Sequence, residues 1–454
     1  MWAWFLPDPG IFAKLPFHGN TSWTPIPLVV LGLCLSWSDA RSLTEAFTQA
    51  ADACRTLYGQ PALGTYQGVM GALVTWTSRL LPLLVARLRE CMEAVGGPHY
   101  RIAGWLPIAI DGSRTTTPRT KSNEAAYCAA NYGKGKTAKY RKKKSKGLRR
   151  KKNKRNKTQP PKPQTWITLM MHMSLRLPWA WRIGPSDASE REHALEMIRT
   201  EKFPRNTLFC GDAGFVGRPF WHAILEQKQN FLVRVGANVH LILDLAKGQR
   251  LTKRRDQVVL CWPKGAMRSG EAPLRLRLIQ TKVGKTKMGL LTSVLDGQDL
   301  TVEQAVRFYE MRWGVEVAFR GLKQTLNRSK LRCRIATRVQ VELDWSILGM
   351  AVAELFAWKE QQPAGIDPVK RSLATTMGVL RGVLRNLHAT PPAGESLSAR
   401  LRAAVTDNAE RTSSKRARYR PRNPDKKKLG APKLRRLTAE ERQKLHKIHP
   451  PAGP

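Results

Sequence analysis

The feature that most constrains this chain is the order of short apolar runs between Leu106 and Val235. Leu106-Pro-Ile-Ala-Ile110 is too short for a helix and ends at Asp111-Gly112-Ser113. Thr165 to Met173 and Trp179 to Ile183 read as a second and a third strand. Ser189 to Lys202 then reads as a helix with an acidic first turn. Thr207-Leu-Phe-Cys210 is a fourth strand, ending at Gly211-Asp212-Ala-Gly214. Pro219 stands where a helix through Lys228 would begin. Phe231-Leu-Val-Arg-Val235 completes the series as a fifth strand. The order β-β-β-α-β-α-β mixes antiparallel hairpins with a parallel crossover and predicts an α/β layered core.

The flanks read differently. Leu28 to about Gly96 is helical, with Ser42-Leu-Thr-Glu45 opening one helix like a capping box. Two further helices are expected from Tyr66 through Thr77 and from about Leu80 to Val95, before Gly96-Gly-Pro98 stops the pattern. Gly236 to Gly297 alternates in a β manner, with runs at Val239–Leu243, Val258–Trp262, Leu274–Ile279 and Gly289–Val294. A long helix is expected at about Thr301 to Asn327 and another from Val341 to Lys359. The expected division is therefore a helical N-terminal segment over 1–100, a DNA-binding or packing module. The core covers 101–235 and 298–335, with a basic loop at 134–163. A β-rich insertion follows at 236–297, and a helical C-terminal region with a basic tail at 336–454.

Charge points to the partner. The chain has 454 residues, with 78 Lys+Arg against 34 Asp+Glu, a net +44. An excess of this size argues for a polyanion, most simply nucleic acid. Lys134 to Lys157 holds fifteen basic residues and no acid, and Asn408 to Lys447 fifteen against four acids. Both are expected to make sequence-independent phosphate contacts. A hydrophobic fraction of 42% excludes global disorder. The 7 cysteines include no CxxC pair, which fits a reducing compartment and gives no zinc signature. The first ten residues lack the basic start of a secretory signal. The most apolar stretch, Pro27 to Trp37, is about half the ~20 residues of a membrane span. The expectation is a soluble, intracellular protein with no membrane partner.

Acids are scarce here, so those at the ends of apolar strands need a reason. Asp111 follows Ile108-Ala-Ile110, and Asp212 follows Leu208-Phe-Cys210. An aspartate beside glycine is ordinarily a turn. Two such carboxylates on neighbouring strands can instead face one another and hold Mg²⁺, leaving room for phosphate oxygens. Helix geometry suggests a third member. Tyr309, Arg312, Glu316 and Lys323 lie within a stripe roughly 60° wide on one helix. Phe308, Met311, Val315, Phe319, Leu322 and Leu326 form the adjoining apolar face. A surface ladder would explain Arg312 and Glu316 as an i,i+4 pair. One carboxylate between two cations and a hydroxyl instead fits a metal ligand flanked by phosphate contacts.

These residues carry a resemblance. Tyr309-x2-Arg312-x3-Glu316-x6-Lys323 resembles the Y-(2)-R-(3)-E-(6)-K signature of IS4-type DDE transposases. Asp111 in IAIDGS and Asp212 in FCGDAGF complete a DDE triad in order. The resemblance covers about Ile102 to Leu331. It implies an RNase H-like core with a β-rich insertion before the Glu316 helix. It further implies that Asp111, Asp212 and Glu316 bind two Mg²⁺ or Mn²⁺ ions for in-line attack of water or a 3′-hydroxyl on phosphodiesters. Tyr309, Arg312 and Lys323 would hold DNA phosphates. The implied partners are double-stranded DNA, as terminal inverted repeats and target, and a second copy of the chain in a synaptic complex. The implied setting is prokaryotic, cytoplasmic and nucleoid-associated. The alternatives are a DDE-type nuclease without strand transfer, or a non-catalytic DNA-binding derivative.

Other residues are read as architecture. His172 and His193 are expected to be structural, and Glu190 and Glu192 to favour a helix N-terminus. Ser113 has no His/Asp partner at readable spacing and is not expected to be a nucleophile. Arg114, Arg119 and Lys121 are either DNA contacts or simply exposed. Trp262 lies in the insertion, where a flipped base could stack, but strand packing is the preferred reading.

Overall fold

The computed structural model describes residues 1–17, 23–59, 64–128, 162–243, 255–283, 286–387, 396–406 and 430–448. The basic run Lys134–Lys157, and the second run as far as residue 429, lie outside the described residues. The chain opens with α1 (Trp2–Phe5), α2 (Pro25–Trp37), α3 (Leu43–Tyr58) and α4 (Tyr66–Gly96). Then come β1 (Leu106–Thr116), α5 (Lys121–Tyr127), β2 (Gln164–His172), β3 (Leu177–Gly184) and α6 (Glu190–Thr200). They are followed by β4 (Thr207–Gly211), α7 (Arg218–Glu226), β5 (Asn230–Val235), β6 (His240–Leu243) and β7 (Asp256–Cys261). Next are α8 (Lys264–Arg268), β8 (Leu274–Val283), β9 (Thr286–Thr292), α9 (Val302–Met311) and α10 (Gly314–Arg320). The last elements are α11 (Ala336–Gln361), α12 (Leu373–Arg385), α13 (Leu397–Arg402), β10 (Lys433–Arg436) and α14 (Ala439–Ile448). The five strands and two crossover helices expected from β1 to β5 are present in that order, with the short α5 added between β1 and β2.

The chain divides into two compact units whose bounds cross the four expected segments. The first comprises Met1–Tyr100, Gly112–His193 and Val315–Thr406; the second comprises Arg101–Asp111, Ala194–Gly314 and Asp407–Pro454.

In the first unit α11 is the central helix. It is buried nearly all round, including Leu343, Trp345, Leu348, Leu355, Phe356 and Trp358, as an interior helix must be. Three indoles fix its neighbours, each N–H finding an acceptor. Trp345 Nε1 donates to Thr77 Oγ1 (2.8 Å), Trp358 Nε1 to the Val95 carbonyl (2.9 Å), and Trp37 Nε1 to the Gly349 carbonyl (2.7 Å). Gly32 is required in α2, since a Cβ there would stand 2.6 Å from the Trp345 ring. The N-terminal helices and α11 thus share one core. Strands β1-β2-β3 lie side by side in this unit, β2 and β3 antiparallel. Ser42 caps α3 as expected, its Oγ accepting from the Glu45 amide (3.0 Å).

The two helices expected between Tyr66 and Val95 are one, with Pro82 inside it. Its buried Leu73, Thr77, Leu80, Leu84 and Leu88 keep a three-to-four spacing through the proline, so packing holds the helix together across the missing hydrogen bond. It is long and apolar enough to cross a membrane by length and composition only, a test that the core helix of a packed unit also passes. Pro25–Trp37 is the shorter and more apolar helix, as expected. Arg87 and Arg89 on α4 donate to the carbonyls of Phe5 (2.9 Å) and Trp179 (3.0 Å), respectively.

In the second unit the strand order is β10-β6-β7-β8-β9-β5-β4-β1. β1, β4 and β5 are parallel, and β5, β9, β8, β7 and β6 follow as antiparallel neighbours. β10 pairs in parallel with β6. The described part of the C-terminal region is helical as expected, with the short strand β10 as an addition. Lys433-Leu-Arg-Arg436 has little strand propensity; pairing with β6 and burial of Leu437 against Ile242, Leu260 and Trp262 impose the conformation.

The long helix expected over Thr301–Asn327 is also corrected. Thr301 caps α9 in a capping box with Gln304. The helix stops at Met311, α10 begins at Gly314, and Gly321–Thr325 makes a π turn. Gly314 lowers helix propensity at the break. At the π turn a Cβ on Gly321 would stand 2.5 Å from Leu373, so close packing accompanies the wider turn.

Candidate active site

The strand register assembles the first two acids. Leu106, Pro107, Ile108 and Ala109 pair in parallel with Thr207, Leu208, Phe209 and Cys210. Two residues beyond Ala109 and Cys210 come Asp111 and Asp212, so the two carboxylates stand level, Asp111 within β1 and Asp212 just past the carboxyl end of β4. Neighbouring strands lie about 4.8 Å apart, and level residues share a face. Asp212 keeps an extended backbone, and its Oδ1 accepts from the Gly214 amide at 2.6 Å. Gly211 before it is fixed by Phe215, which a Cβ would meet at 2.9 Å.

Arg312 joins this pair. Its Nη1 lies 4.0 Å from Asp111 Oδ2, with the two side chains 11% and 22% exposed. The guanidinium also lies over the Tyr309 ring at 5.5 Å. Burial pushes the Cys210 thiol up, and the nearby Arg312 charge opposes that shift. Tyr309 is buried beneath Arg312. Asp111, Asp212, Tyr309 and Arg312 therefore all belong to the second unit.

Glu316 and Lys323 belong to the first unit, Glu316 in the first turn of α10 and Lys323 in the π turn. The single 60° stripe expected for the four side chains does not exist on one helix, because the helix breaks between Arg312 and Glu316. Lys323 Nζ donates to Ser113 Oγ at 2.6 Å, and burial holds its ammonium below the usual lysine range. Among the described residues no group of three or more His, Cys, Asp or Glu stands close enough to hold a metal ion.

The donor chemistry nevertheless fits a divalent cation. Asp111 and Asp212 offer hard carboxylate oxygens, the kind Mg²⁺ and Mn²⁺ select. Asp111 already attracts a cation, the Arg312 guanidinium.

Neighbouring residues separate cleanly. Gly112 must be glycine, since a Cβ would stand 2.7 Å from the Trp166 ring and 2.8 Å from a Glu190 carboxylate oxygen. Glu190, expected only to favour a helix N-terminus, thus also lines the chain immediately after Asp111. Arg114 lies over Trp166 at 4.6 Å, and Arg119 pairs with Glu124 at 2.6 Å. Lys121 opens α5 and is exposed. His172 is fully buried with Nε2 2.9 Å from the Tyr100 carbonyl, and His193 Nδ1 is 3.0 Å from Thr168 Oγ1, both structural as expected. Trp262 is buried and donates to the Glu271 carbonyl (2.8 Å), which makes it a packing residue. The exposed indole is Trp313, 57% accessible and adjacent to Arg312. Sequence reasoning passed over it, although its place inside the Tyr309–Lys323 signature was a readable signal.

Level carboxylates on adjacent parallel strands, in an α/β sheet of this order, fit the expected RNase H-like core. The chain belongs to the transposase DDE domain family, whose match covers residues 106–351, more than half of its length. It is 27% identical over 305 residues to the transposase InsG for insertion sequence element IS4 of Escherichia coli (strain K12). That match takes in 65% of this chain and 62% of the relative, so the chain spans less than two thirds of that protein. The resemblance to IS4-type DDE transposases is borne out at this level. A solved structure of the piggyBac transposase synaptic complex with hairpin DNA aligns over 91% of this chain and 83% of that chain. The TM-score is 0.40 with 11% identity, too loose a likeness to bear on this chain's chemistry.

Proposed function

We propose that this protein is a transposase that cleaves DNA at the ends of a mobile element and joins the freed 3′-hydroxyl ends to target DNA. The observation that carries the reading is the β1–β4 register, which brings Asp111 level with Asp212. Asp111, Asp212 and Glu316 would hold two Mg²⁺ or Mn²⁺ ions. When bound, such ions activate an attacking oxygen and stabilise the leaving oxygen of a phosphodiester.

The chain's own groups prepare the phosphate. Arg312, resting on Tyr309, offers a planar fork suited to two phosphate oxygens. Asp111 Oδ2 lies 4.0 Å from that fork. Lys323, drawn to Ser113 Oγ, offers a second cation for the same strand. Exposed Trp313 presents an aromatic face on which an unpaired base could stack. The two lysine- and arginine-rich runs add affinity without sequence preference. The partners proposed are double-stranded element ends, target DNA and a second copy of the chain. Residues 236–297 act as an insertion within the core, and the setting is the cytoplasm.

A strand-transfer assay tests the reading. Purified protein, Mg²⁺, a duplex carrying the element's terminal repeat and a plasmid target should yield plasmid covalently joined to the repeat. Cleavage without any joined product would make the protein a nuclease. Binding without either reaction would make it a non-catalytic DNA binder.

A further inference from the structure

Arg234 on β5 has its Nε buried with no hydrogen-bond partner among the described residues. Such a group is costly unless something binds there. Its side chain lines a cavity of about 640 Å³, within the span of roughly 300–1,000 Å³ usual for ligand sites. Arg255, Gln280, Thr281, Lys282 and Lys287 share the wall, and among the described residues none that lines the cavity is acidic. Lys282 and Lys287 stand directly opposite each other on β8 and β9, where like charges repel. Gly430, Ala431 and Pro432, leading into β10, line a further side. The fit there is tight: a Cβ on Gly289 would stand 3.3 Å from Pro432 and 3.3 Å from Val235.

We propose that this cavity is a phosphate-binding site, taking a backbone phosphate of nucleic acid or a free polyphosphate. A phosphate oxygen accepts from the Arg234 Nε that lacks a partner. The dianionic group offsets the repulsion between Lys282 and Lys287, while Gln280 and Thr281 supply neutral hydrogen bonds. Four cations from three strands and the approach to a fourth converge without an acid, which suits a multiply charged anion better than a carboxylate. The C-terminal strand is part of the design, because β10 anchors the segment that forms one wall. The site uses none of Asp111, Asp212 or Glu316, so it stands apart from the proposed catalysis.

Lysine acylation followed by mass spectrometry tests it on the full chain. Inorganic pyrophosphate, and separately a short blunt DNA duplex, should slow acylation of Lys282 and Lys287 severalfold relative to exposed Lys202. Protection by the duplex assigns the site to the nucleic-acid backbone; protection by pyrophosphate alone assigns it to a free anion. Arg234→Gln and Arg255→Gln should each weaken the protecting probe's binding about tenfold. The exposed Arg255 variant keeps the test alive should the Arg234 variant fail to fold. Asp111→Ala should leave protection unchanged, which separates this site from the active-site reading. No protection of either lysine by either probe, or unchanged affinity in both arginine variants, overturns the proposal.

Discussion

Arginine meets carboxylate in both units, but to different ends. In the first unit Arg328 Nε lies 3.8 Å from Glu342, with side chains 5% and 7% exposed. The same Nε donates to Ser346 Oγ (2.7 Å), while Nη1 and Nη2 donate to the carbonyls of Leu326 (2.6 Å) and Ser36 (3.2 Å). In the second unit the Arg312–Asp111 contact is at the 4.0 Å limit of an ion pair and partly open to water. A pair sunk among carbonyls has exchanged hydration for protein and cannot be re-partnered cheaply. A loose, partly exposed pair can give up its partner to a phosphate or a metal ion. The difference teaches which charges hold the fold and which are kept for chemistry.

The largest effects should come from the second kind. Replacing Asp111 or Asp212 with Ala is expected to lower Mg²⁺-dependent DNA cleavage by about 10³-fold or more, with stability changed by no more than ~0.5 kcal/mol. Cleavage rates and denaturant midpoints on the same preparations check both halves. Retained cleavage would remove these residues from the active site, and a large stability loss would move them among the structural charges.

Arg328→Met should do the reverse. It leaves Glu342 buried without its guanidinium, at a cost of about 3–5 kcal/mol. The double variant Arg328→Met/Glu342→Leu should recover much of that loss. A single-variant loss below about 1 kcal/mol would show that Glu342 reaches water and would erase the contrast drawn between the two arginines.

Asp344 sharpens the comparison through pH. It accepts from Trp181 Nε1 (2.8 Å) and Gln340 Nε2 (3.0 Å), yet burial raises its pKa to about 6. The folded chain therefore keeps a proton that the unfolded chain has released between about pH 4 and pH 6. Stability from this group is greatest at the acidic end, falls as pH rises through that window, and is constant above it. The total loss is about 3 kcal/mol for a shift of roughly two units. Asp344→Asn should flatten this part of the melting-temperature profile and raise stability at neutral pH. An unchanged slope in the variant would show that another group titrates there.

What was legible in the sequence follows from the range of the interactions involved. The strands from Leu106 to Val235 were readable because near-continuous burial is written as short apolar runs of neighbouring residues, and Asp111 and Asp212 were readable as polar ends of apolar runs. The α4 helix was misread as two because Pro82 is a local signal, whereas the buried Leu73–Leu88 stripe that overrides it acts across the core. Strand β10 was invisible because Lys433–Arg436 owes its conformation to β6, nearly two hundred residues earlier. The break between α9 and α10 was missed for a related reason. Tyr309, Arg312, Glu316 and Lys323 do lie at helical spacing, and the spacing carries no information about a turn at Trp313-Gly314.

Two tryptophans give the smallest and most discriminating contrast. Trp262 is buried in the cluster with Ile242, Leu260 and Leu437, and its indole N–H is used by the Glu271 carbonyl. Trp262→Phe should therefore cost about 1–2 kcal/mol of stability through the lost hydrogen bond and leave the Glu271 carbonyl short of a donor. DNA affinity should not change. Trp313, 57% exposed, contributes little to packing. Trp313→Ala should leave stability within ~0.5 kcal/mol, yet weaken binding of a duplex with unpaired terminal bases about tenfold, the scale of losing one base–aromatic stack. A fully paired duplex should be bound nearly as before, because its bases are not free to stack. Equal losses on both duplexes would mean that Trp313 supports the position of Arg312 instead of receiving a base. A loss with the Trp262 variant alone would return the aromatic role to the insertion.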